Sequence, residues 1–579
     1  MNDKGSMNDI AVVLSGEAGQ GINTIENLLA HVLKRQGYYM FTSKEYMSRV
    51  RGGCNSTLVR ISDRPVEAYV ERIDLLIPLI KESIPHLRAR IGSKTLIAGS
   101  PDILQEAVGN GSVDDGNCFE IAYDDIAKEA GSKLYANTAA AGLVFGILAV
   151  NPELISEYFK EKFEGKGEKV QQGNIDAAMK GYEQGRELGE SGRMDPRMGR
   201  DGDRASDLLL TGAQAVGLGA LAGGCNFIGA YPMSPATGVI QYLAQQSGKF
   251  DLVVEQVEDE IAAINMCIGA WFAGARAMTT TSGGGFALMC EGMSLAAMFE
   301  SPLVVHLAQR PGPATGLPTR TEQGDLELAV YAGHGEYARV VLAPGNLEQA
   351  YAATAKAFDM ADKLQIPVVI LTDQYLMDSY ASVNDLPVPD APPAGHIVET
   401  EADYARYRLT DDGLSPRGIP GYGRGLVSLD SDTHDEEGHI TEDLELRNKM
   451  VEKRLKRFEL IDNETLPPEL IGDAEAPNLL ICWGATRGIV CEAVAKLDRP
   501  DIAVLHFQQV FPLPPGTEDL LAKAERRVVL EGNATGQFAK LLKLHANAKI
   551  DGNILKYNGM PYSVEEVMKA VENEFGGED

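Results

Sequence analysis

The chain repeats one local pattern: a short apolar run rich in β-branched residues, a loop rich in Gly or Pro, and then a segment with helical spacing. The first example is IAVVLSG, followed by INTIENLLAHVLKRQG, in which Ile25, Leu28, Leu29 and Val32 fall on one helical face. Strands that alternate with helices in this way predict parallel sheets with crossover helices. The expected fold class is α/β, with several doubly wound parallel-sheet domains.

Length and composition shifts divide the pattern into domains. A chain of 579 residues is long enough for several domains of about 100–200 residues each. We predict α/β domains at residues 9–180, 205–383 and 476–579. Residues 181–204 are rich in Gly and charge and are predicted to be a linker, and residues 384–475 form a connecting segment rich in Pro and acidic residues.

The charge balance excludes two classes of partner. The chain has 53 Lys and Arg against 83 Asp and Glu, a net charge of −30, which argues against binding to nucleic acid or to an anionic membrane surface. A solvated acidic surface and a basic partner protein both fit this charge. The polar N-terminus predicts no signal peptide, and the uncharged stretch 211–248 is interrupted too often to span a bilayer.

The cysteines indicate a reducing compartment. There are seven, an odd number, and none forms C-x-x-C, so a disulfide framework and an iron–sulfur ligand run are both excluded. A cytoplasmic protein is therefore expected. His434 and His439 lie among acidic residues; a metal site is conceivable there, but a solvated loop is favoured.

The segment LVVEQVEDEIAAINMCIGAWFAGAR carries three successive acidic residues, Glu258, Asp259 and Glu260. Carboxylates in a first helical turn are favoured by the helix dipole, and this requires no function. The helix beyond Glu260 is unusually rich in small residues, which predicts that a second backbone or a flat ligand packs closely against it. These residues are Ala262, Ala263, Gly269, Ala270, Ala273 and Gly274.

Two loops nearby could hold a ligand. The prolines of the segment Tyr231-Pro232-Met233-Ser234-Pro235 define a turn that holds the Ser234 hydroxyl in place, although an ordinary Pro turn would have the same sequence. In the segment TTTSGGG, bare backbone N–H groups around Ser282 and Gly283 could approach a ligand. Taken by itself, this second segment is better explained by a tight strand-to-helix loop.

A third loop begins with an arginine. Arg310 ends an apolar strand and opens the stiff segment PGPATGLPTR, which is where ligands bind in α/β proteins. A guanidinium group matches a carboxylate in a bidentate fashion. The alternative is a surface arginine that pairs with Asp325 or Glu322.

Taken together and in this order, the four motifs resemble those of 2-oxoacid:ferredoxin oxidoreductases, whose pattern is Y-P-[IM]-[TS]-P, E-D-E-I-A-A, T-S-G-x-G and Q-R-x-G-P-[SA]-T-G-[LM]-P-T. The resemblance covers nearly the whole chain. Residues 9–180 resemble the family's γ module, fused ahead of a pyrimidine-binding domain for thiamine diphosphate at 205–383. Residues 476–576, which contain EGNATGQ, resemble its transketolase C-terminal-like domain. Ser234 stands where many relatives have Thr, and Gly284 where many have Pro.

The resemblance implies roles for individual residues. Glu260 would hydrogen-bond the aminopyrimidine ring of thiamine diphosphate and so promote loss of the thiazolium proton. Ser234 would lie beside the substrate, and Arg310 would contact the substrate carboxylate; these three are the predicted catalytic residues. The other residues expected at the site are Tyr231, Pro232, Ser282 and Gly283 for the cofactor, and Thr315 and Arg320 for the substrate.

The other half of a thiamine diphosphate site is missing from the sequence. Such enzymes hold the diphosphate and Mg²⁺ with G-D-G followed by an Asn pair, and the nearest match, Arg200-Asp201-Gly202-Asp203, lacks the first Gly and the Asn pair. A partner β chain is therefore expected to supply the diphosphate and Mg²⁺ site and the [4Fe-4S] clusters. This chain would be active only with that β subunit, in an (αβ)₂ assembly.

The first domain carries a second glycine motif, GEAGQG, with Gly16, Gly19 and Gly21. Its spacing is not the dinucleotide fingerprint, but backbone donors at the start of a helix suit phosphate. The family's γ module lies near bound coenzyme A, and Arg51, in SRVRGG, could add charge for its phosphates. Structural turns and surface arginines explain these residues equally well.

The resemblance implies reversible oxidative decarboxylation of a 2-oxoacid with coenzyme A, giving acyl-CoA, CO₂ and reduced ferredoxin. A fused γ–α chain without its own ferredoxin domain is most similar to the two-subunit enzymes. Many of those use 2-oxoglutarate and form succinyl-CoA, so we expect this substrate. Pyruvate or broad specificity is the alternative within the class. A non-catalytic protein that binds coenzyme A or nucleotides is the alternative outside it, but such a protein would be expected to have lost Glu260.

Overall fold

The structure, a computed structural model, describes residues 8–17, 20–48, 53–194, 196, 198–391, 393 and 395–576. These residues form two compact units. The first unit comprises the described residues up to Leu210 together with Ser379–Asp385 and Ser563–Glu565, and the second comprises the remainder. In the described part of the chain, no helix has the length and apolar character needed to cross a membrane.

The strands in chain order are β1 (Asp9–Glu17), β2 (Tyr39–Glu45), β3 (Cys54–Ser62), β4 (Leu75–Pro78), β5 (Leu96–Gly99), β6 (Cys118–Glu120), β7 (Leu208–Thr211), β8 (Phe227–Ala230), β9 (Val253–Gln256), β10 (Ala277–Thr281), β11 (Leu303–Gln309), β12 (Val340–Leu342), β13 (Pro367–Asp373), β14 (Tyr380–Val383), β15 (Glu469–Ile471), β16 (Asn478–Trp483), β17 (Ile502–Phe507), β18 (Gln509–Phe511), β19 (Arg526–Glu531) and β20 (Gly552–Leu555).

The α-helices are α1 (Ile22–Arg35), α2 (Ser83–His86), α3 (Pro101–Gly109), α4 (Tyr123–Glu129), α5 (Ala136–Ile147), α6 (Pro152–Lys162), α7 (Glu168–Glu190), α8 (Gly212–Ala222), α9 (Thr237–Gln246), α10 (Glu260–Phe272), α11 (Gly283–Leu288), α12 (Cys290–Met298), α13 (Leu326–Tyr331), α14 (Leu347–Leu364), α15 (Gln374–Asp378), α16 (Leu444–Leu455), α17 (Arg457–Ile461), α18 (Arg487–Leu497), α19 (Thr517–Lys523), α20 (Gln537–His545) and α21 (Val564–Phe575).

The sheet of the first unit is mixed. Its strand order is β6-β5-β4-β1-β3-β2-β14-β7. The strands β6, β5, β4 and β1 run parallel, whereas β3 runs antiparallel to both β1 and β2. The α/β class is confirmed, but the prediction of a wholly parallel sheet is wrong here, because β2 and β3 follow each other directly and antiparallel neighbours need no crossover helix. The strand β14 falls within the predicted second domain, yet it pairs with β2.

The first residues of the predicted linker at 181–204 belong to a packed helix of the first unit. Helix α7 continues to Glu190, and Leu188 and Met194 belong to the core of the first unit. Glycines on α5 and α7 let the two helices pack backbone to backbone. A Cβ atom added to any one of four glycines would lie about 2 Å from a carbonyl oxygen of the other helix, namely Gly142, Gly146, Gly181 and Gly185. The glycines that indicated a flexible segment therefore form a packing face.

The second unit has two sheets. The first has the order β18-β12-β13-β11-β10-β8-β9, and every neighbouring pair is parallel except β12 and β18. The second has the order β15-β17-β16-β19-β20, with only the edge strand β15 antiparallel to its neighbour. The first sheet takes six of its seven strands from residues 205–383 and its edge strand β18 from residues 476–579, whereas the second takes four of its five strands from 476–579 and its edge strand β15 from the connecting segment. The largely parallel pairing follows from the helix between successive strands.

Buried charges attach the connecting segment to the second unit. Lys453 Nζ lies 3.0 Å from both carboxylate oxygens of Glu300, and Arg457 forms an ion pair with the same carboxylate. Burial tends to raise the pKa of Glu300, but Arg457 and Lys453 outweigh it and lower the pKa to about 2. His434 is buried too, with its ring centroid 3.7 Å from that of Tyr407, so the prediction of a solvated loop is wrong at this histidine.

Candidate active site

The four sequence motifs meet at one edge of a parallel sheet. Strands β11, β10, β8 and β9 are neighbours in that order and run parallel, so their carboxyl ends share an edge. The YPMSP turn follows β8, Glu260 begins the helix after β9, the SGGG segment follows β10, and Arg310 follows β11. This is the edge where ligands bind in open α/β sheets.

Glu260 is the buried member of the acidic triplet. Its side chain is 3% exposed, whereas Glu258 and Asp259 are exposed. Asp259 caps α10, because its carboxylate accepts a hydrogen bond of 2.7 Å from the backbone N–H of Ala262. Glu260 is left free of this task, and its buried Oε1 atom has no hydrogen-bond partner. A buried polar atom without a partner is costly, so a ligand that can bond to it is implied.

The glycines after β10 make room for two carboxyl groups. A Cβ atom on Gly285 would lie 2.6 Å from Glu260 Oε1 and 2.1 Å from Thr281 Oγ1. A Cβ atom on Gly283 would lie 2.4 Å from Asp325 Oδ2, whereas on Gly284 it would meet nothing closer than an oxygen at 3.7 Å. The SGGG segment therefore requires its first and third glycines but not its second.

Several predicted cofactor residues lie at the same strand edge as Glu260. Ser282 is fully buried, and its hydroxyl has no hydrogen-bond partner. Tyr231 is 40% exposed and Pro232 is half-buried, so this side of the site is open in the chain. The buried, unpartnered oxygens of Glu260 and Ser282 fit a flat heterocycle whose ring and amino nitrogens can hydrogen-bond to them.

Arg310 and Ser234 are in direct contact. Arg310 Nη1 donates a hydrogen bond of 2.8 Å to the backbone carbonyl of Ser234, and Arg310 Nε is buried without a partner. The side chain of Ser234 is exposed. Burial lowers the pKa of Arg310, and attraction to Asp325 opposes this change. The guanidinium group is therefore fixed at the open side of the site, and one of its N–H donors remains available to bind an anion.

The two remaining substrate candidates, Thr315 and Arg320, lie in different environments on the loop after Arg310. Thr315 is exposed on it. Gly316 closes the loop, because its φ is +51° and an added Cβ atom would lie 1.8 Å from Pro311 O. Arg320 Nη1 lies 3.1 Å from Met560 Sδ, and the stem of Arg320 packs against Gly559. These contacts join Arg320 to the C-terminal domain, and its role as a substrate residue stays a prediction.

Sequence reasoning missed Gln323, which joins this loop to the C-terminal domain. Its side chain donates to Trp483 O at 2.9 Å and accepts from the N–H of Gly532 at 2.8 Å. Its own N–H donates to Gly532 O at 2.7 Å, and Asn533 Nδ2 donates to its carbonyl at 3.1 Å. Hydrogen bonds from the EGNATGQ motif to Gln323 thus fix the loop that follows Arg310. No local pattern marks Gln323, because its partners lie far away in the chain.

Comparison with known proteins identifies this arrangement. Residues 218–453 match the family described as "Pyruvate flavodoxin/ferredoxin oxidoreductase, thiamine diP-bdg", and residues 11–184 match "Pyruvate ferredoxin/flavodoxin oxidoreductase". A 2-oxoacid:ferredoxin oxidoreductase subunit alpha from Sulfolobus sp is 30% identical, with 96% of each chain covered. The chain belongs to the 2-oxoacid:ferredoxin oxidoreductase family. Its place in that family is the alpha subunit, and the pyrimidine-binding assignment is thereby supported.

Two further relatives are similar to this chain. The 2-oxoglutarate synthase subunit KorA of Archaeoglobus fulgidus is 33% identical over 63% of this chain and 99% of its own. The structure of the 2-oxoglutarate:ferredoxin oxidoreductase from Magnetococcus marinus, with 2-oxoglutarate, coenzyme A and succinyl-CoA bound, superposes with a TM-score of 0.90 at 28% identity, covering 98% of this chain and 99% of that one. The fold of this alpha subunit is therefore shared along almost its whole length.

The first unit of this alpha subunit contains a separate cleft of about 680 Å³. It opens at the carboxyl ends of β4 and β5, where Leu79 and Ser100 line it. Gln20 and Asn137 also line it, and an added Cβ atom would approach them to 2.5 Å from Gly16 and Gly21 respectively. Gly19 and Arg51, the other residues predicted here, lie outside the described residues.

The sequence segment nearest to a diphosphate motif has other contacts in this oxidoreductase subunit. Arg200 Nη2 donates to Leu148 O and Ala149 O at 3.0 Å each. Asp201 accepts a hydrogen bond from Arg204 Nε at 3.1 Å. These side chains take part in the packing of the first unit. In the described part of the chain, no three His, Cys, Asp or Glu side chains are grouped so as to hold a metal ion.

Proposed function

We propose that this alpha subunit oxidises 2-oxoglutarate with coenzyme A, giving succinyl-CoA, CO₂ and reduced ferredoxin in a reversible reaction. The observation that carries the proposal is the meeting of the unpartnered Glu260 carboxyl and the Arg310 guanidinium at one strand edge. The substrate is taken from the relatives, because KorA is named a 2-oxoglutarate synthase subunit and the Magnetococcus enzyme was solved with 2-oxoglutarate and succinyl-CoA. Pyruvate is the alternative, since the family descriptions name it.

The catalytic tasks of the chain follow from three side chains. Thiamine diphosphate, when bound, supplies the carbon nucleophile for the keto group and takes up the electron pair left by CO₂. Glu260 would hold a proton at a pyrimidine ring nitrogen, since its buried Oε1 has no other partner. Arg310 would bind the substrate carboxylate with its free donors, and the exposed Ser234 hydroxyl would hydrogen-bond the substrate. Tyr231, Pro232, Ser282 and Gly283 would line the cofactor.

The coenzyme A site is assigned to the cleft of the first unit. Lys81, Lys128 and Lys133 line this cleft together with the Gln20 and Asn137 side chains, and these donors would bind the phosphate groups. Four carboxylates line it as well, those of Glu82, Asp102, Asp124 and Asp125. Leu134 is 84% exposed beside it, which suits an adenine ring. Gly16, Gly19, Gly21 and Arg51 are proposed to contribute to this site. The volume of the cleft and its position at the carboxyl ends of strands support the assignment.

The remaining parts of the enzyme are assigned to a partner. We place the Mg²⁺ and diphosphate site and the [4Fe-4S] clusters on a β subunit, because the sequence of this chain has neither ligand set. The relatives are named alpha subunits, which supports such an assembly, and we propose an (αβ)₂ complex that reduces ferredoxin in the cytoplasm. The acidic surface, with a net charge of −30, suits contact with a basic partner.

The test is a substrate panel on the co-purified complex. 2-Oxoglutarate, pyruvate and 2-oxobutyrate are compared with coenzyme A and a one-electron acceptor, and kcat/KM for 2-oxoglutarate should be higher by about tenfold or more. A preference for pyruvate would select the alternative substrate. Absence of reduction with every 2-oxoacid, in a complex that has bound its cofactors, would contradict the proposed function.

A further inference from the structure

A second carboxyl group lies at the candidate active site beside those already described. The N–H of Asp325 donates to Gln309 Oε1 at 2.9 Å, and Gln309 Nε2 in turn donates to Thr372 O at 3.1 Å. These bonds tie the Asp325 backbone to strands β11 and β13. A Cβ atom added to Gly283 would lie 2.4 Å from Asp325 Oδ2 and 2.5 Å from Oδ1, so the Asp325 carboxyl lies against the start of the SGGG segment.

The Asp325 side chain does not cap the helix before which it stands. It stands at the N-cap of α13, yet its side chain makes no capping hydrogen bond. Its Oδ2 atom is buried and has no hydrogen-bond partner. A buried carboxyl oxygen that neither caps a helix nor accepts a hydrogen bond is expensive to maintain, and this argues for a partner that the chain does not contain.

Two charged groups act on Asp325. Arg310, the proposed substrate anchor, attracts it, and Glu322 repels it. Burial raises the pKa of Asp325 to about 6, and Glu322 adds to the rise while Arg310 opposes it. The carboxyl group therefore changes its charge close to physiological pH. A 2-oxoacid cannot do so in this range, because its carboxyl groups ionise near pH 4 or below.

We propose that Asp325 is a specificity-determining residue of the 2-oxoacid site. Its ionised carboxylate competes with the substrate carboxylate for Arg310, and only protonation of Asp325 ends this competition. This inference rests on the proposed function, because it takes Arg310 as the anchor. Ionised Asp325 neutralises part of the guanidinium charge and repels an incoming carboxylate. Protonated Asp325 does neither, and its O–H can donate a hydrogen bond to the bound substrate.

Substrate binding is then coupled to a proton. Above the pKa of Asp325, the enzyme takes one proton from solvent for each 2-oxoacid bound, so KM rises with pH, by tenfold per pH unit at most. Below that pKa, Asp325 is already protonated and KM is level. The substrate is favoured over neutral analogues most strongly on the acidic side of this range, because only a carboxylate benefits from the freed guanidinium group.

The test uses the complete complex with its partner chain. KM and kcat for 2-oxoglutarate are measured from pH 5.5 to 8.5, together with the inhibition constant of glutarate, which reports binding without turnover. In the unaltered complex, both KM and the glutarate constant should rise above pH 6, towards about tenfold per pH unit. Asp325→Asn keeps the shape and a hydrogen-bond donor but cannot ionise. Both constants should then be level across the range and about tenfold or more below the unaltered values at pH 8.

A second variant separates titration from structure. Glu322→Gln removes the repulsion that raises the pKa of Asp325, so the rise in KM should begin at lower pH while kcat is kept. A level KM in the unaltered and active complex would overturn the proposal, as would an unchanged profile in Asp325→Asn. Failure of the proposed function is a different result, in which no 2-oxoacid is turned over or Arg310→Ala leaves KM unchanged.

Discussion

Glu260 shows how one of three adjacent carboxylates can be singled out. Asp259 satisfies the backbone at the start of α10 and stays exposed, as does Glu258. Glu260 turns inward and is buried, and its Oε1 atom lacks a partner. The neighbours therefore provide a matched control for the proposed catalytic role, since they have similar chemistry but face solvent.

Glu260→Gln should slow proton exchange at the thiazolium carbon by about a hundredfold or more in the assembled complex, the usual range for a general acid–base group. Assembly should survive, because the amide is nearly isosteric. Glu258→Gln should leave exchange unchanged. Hydrogen–deuterium exchange of the bound cofactor measures both, and a larger effect from Glu258→Gln would show that the assignment lies half a helical turn away.

Arg310 is distinguished from Arg320 by its contacts. Arg310→Ala should raise KM for every 2-oxoacid by about ten- to a hundredfold, because one charge-assisted contact contributes about 1.5–3 kcal/mol. Arg320→Ala should change KM little, since its guanidinium contacts Met560. Steady-state kinetics on both variants decides, and a KM effect confined to Arg320→Ala would transfer the anchor to that residue.

The segment between β10 and α11 is the element on which the site depends. Three successive glycines meet three different environments: the Asp325 carboxyl at Gly283, open space at Gly284, and the Thr281 hydroxyl together with the Glu260 carboxyl at Gly285. Side chains would be excluded at the outer two positions by groups that the chemistry needs in place. The tightness at Gly283 therefore results from the Asp325 carboxyl, and that at Gly285 from both the Glu260 carboxyl and the Thr281 hydroxyl at the end of β10.

Gly285→Ala should impair catalysis about as severely as Glu260→Gln, because the added methyl group would lie 2.6 Å from Glu260 Oε1 and 2.1 Å from Thr281 Oγ1. Overpacking of this kind also costs about 1–3 kcal/mol of stability. Gly284→Ala is the control, since its nearest neighbour is at 3.7 Å. Activity and thermal unfolding of the two complexes test the pair, and equal effects would refute the steric explanation.

On the proposed function, the molecule as a whole provides the pyrimidine half of a thiamine diphosphate site. The Tyr231 side of that half is open in the chain, and the sequence has no G-D-G motif with an Asn pair. Charge and hydrogen-bonding groups for the diphosphate are therefore expected to come from the proposed β subunit. The alpha-subunit names of the relatives agree with such a division.

The isolated chain should consequently bind thiamine diphosphate only weakly, even with Mg²⁺ present. Calorimetric titration should detect no micromolar binding to the chain alone, whereas the complex with its β subunit should retain the cofactor. The diphosphate contributes most of the charge available for recognition, which explains the expected difference. Micromolar binding by the isolated chain would show that the missing half is present on it.

The active-site edge is predictable from the sequence because each of its motifs is recognisable within one short segment. Each motif directly follows an apolar strand, and parallel strands bring their carboxyl ends to one edge whatever the loops contain. The YPMSP, EDE, SGGG and QR segments can thus be grouped from the order of strands and loops alone. The class of fold follows in the same way from the alternation of strands and helices.

Other features depend on contacts between residues that are distant in the chain. Gln323 bonds to Gly532, and neither position carries a local signal of that pairing. The glycines of α7 indicate a linker until the facing glycines of α5 place them in a helix–helix contact. Asp325 is predicted only as a surface ion-pair partner, because burial, which raises its pKa to about 6, exists only in the folded chain. Hydrophobic periodicity and turn residues are properties of short segments. Burial, long-range hydrogen bonds and the charge environment of a residue arise only when those segments pack together.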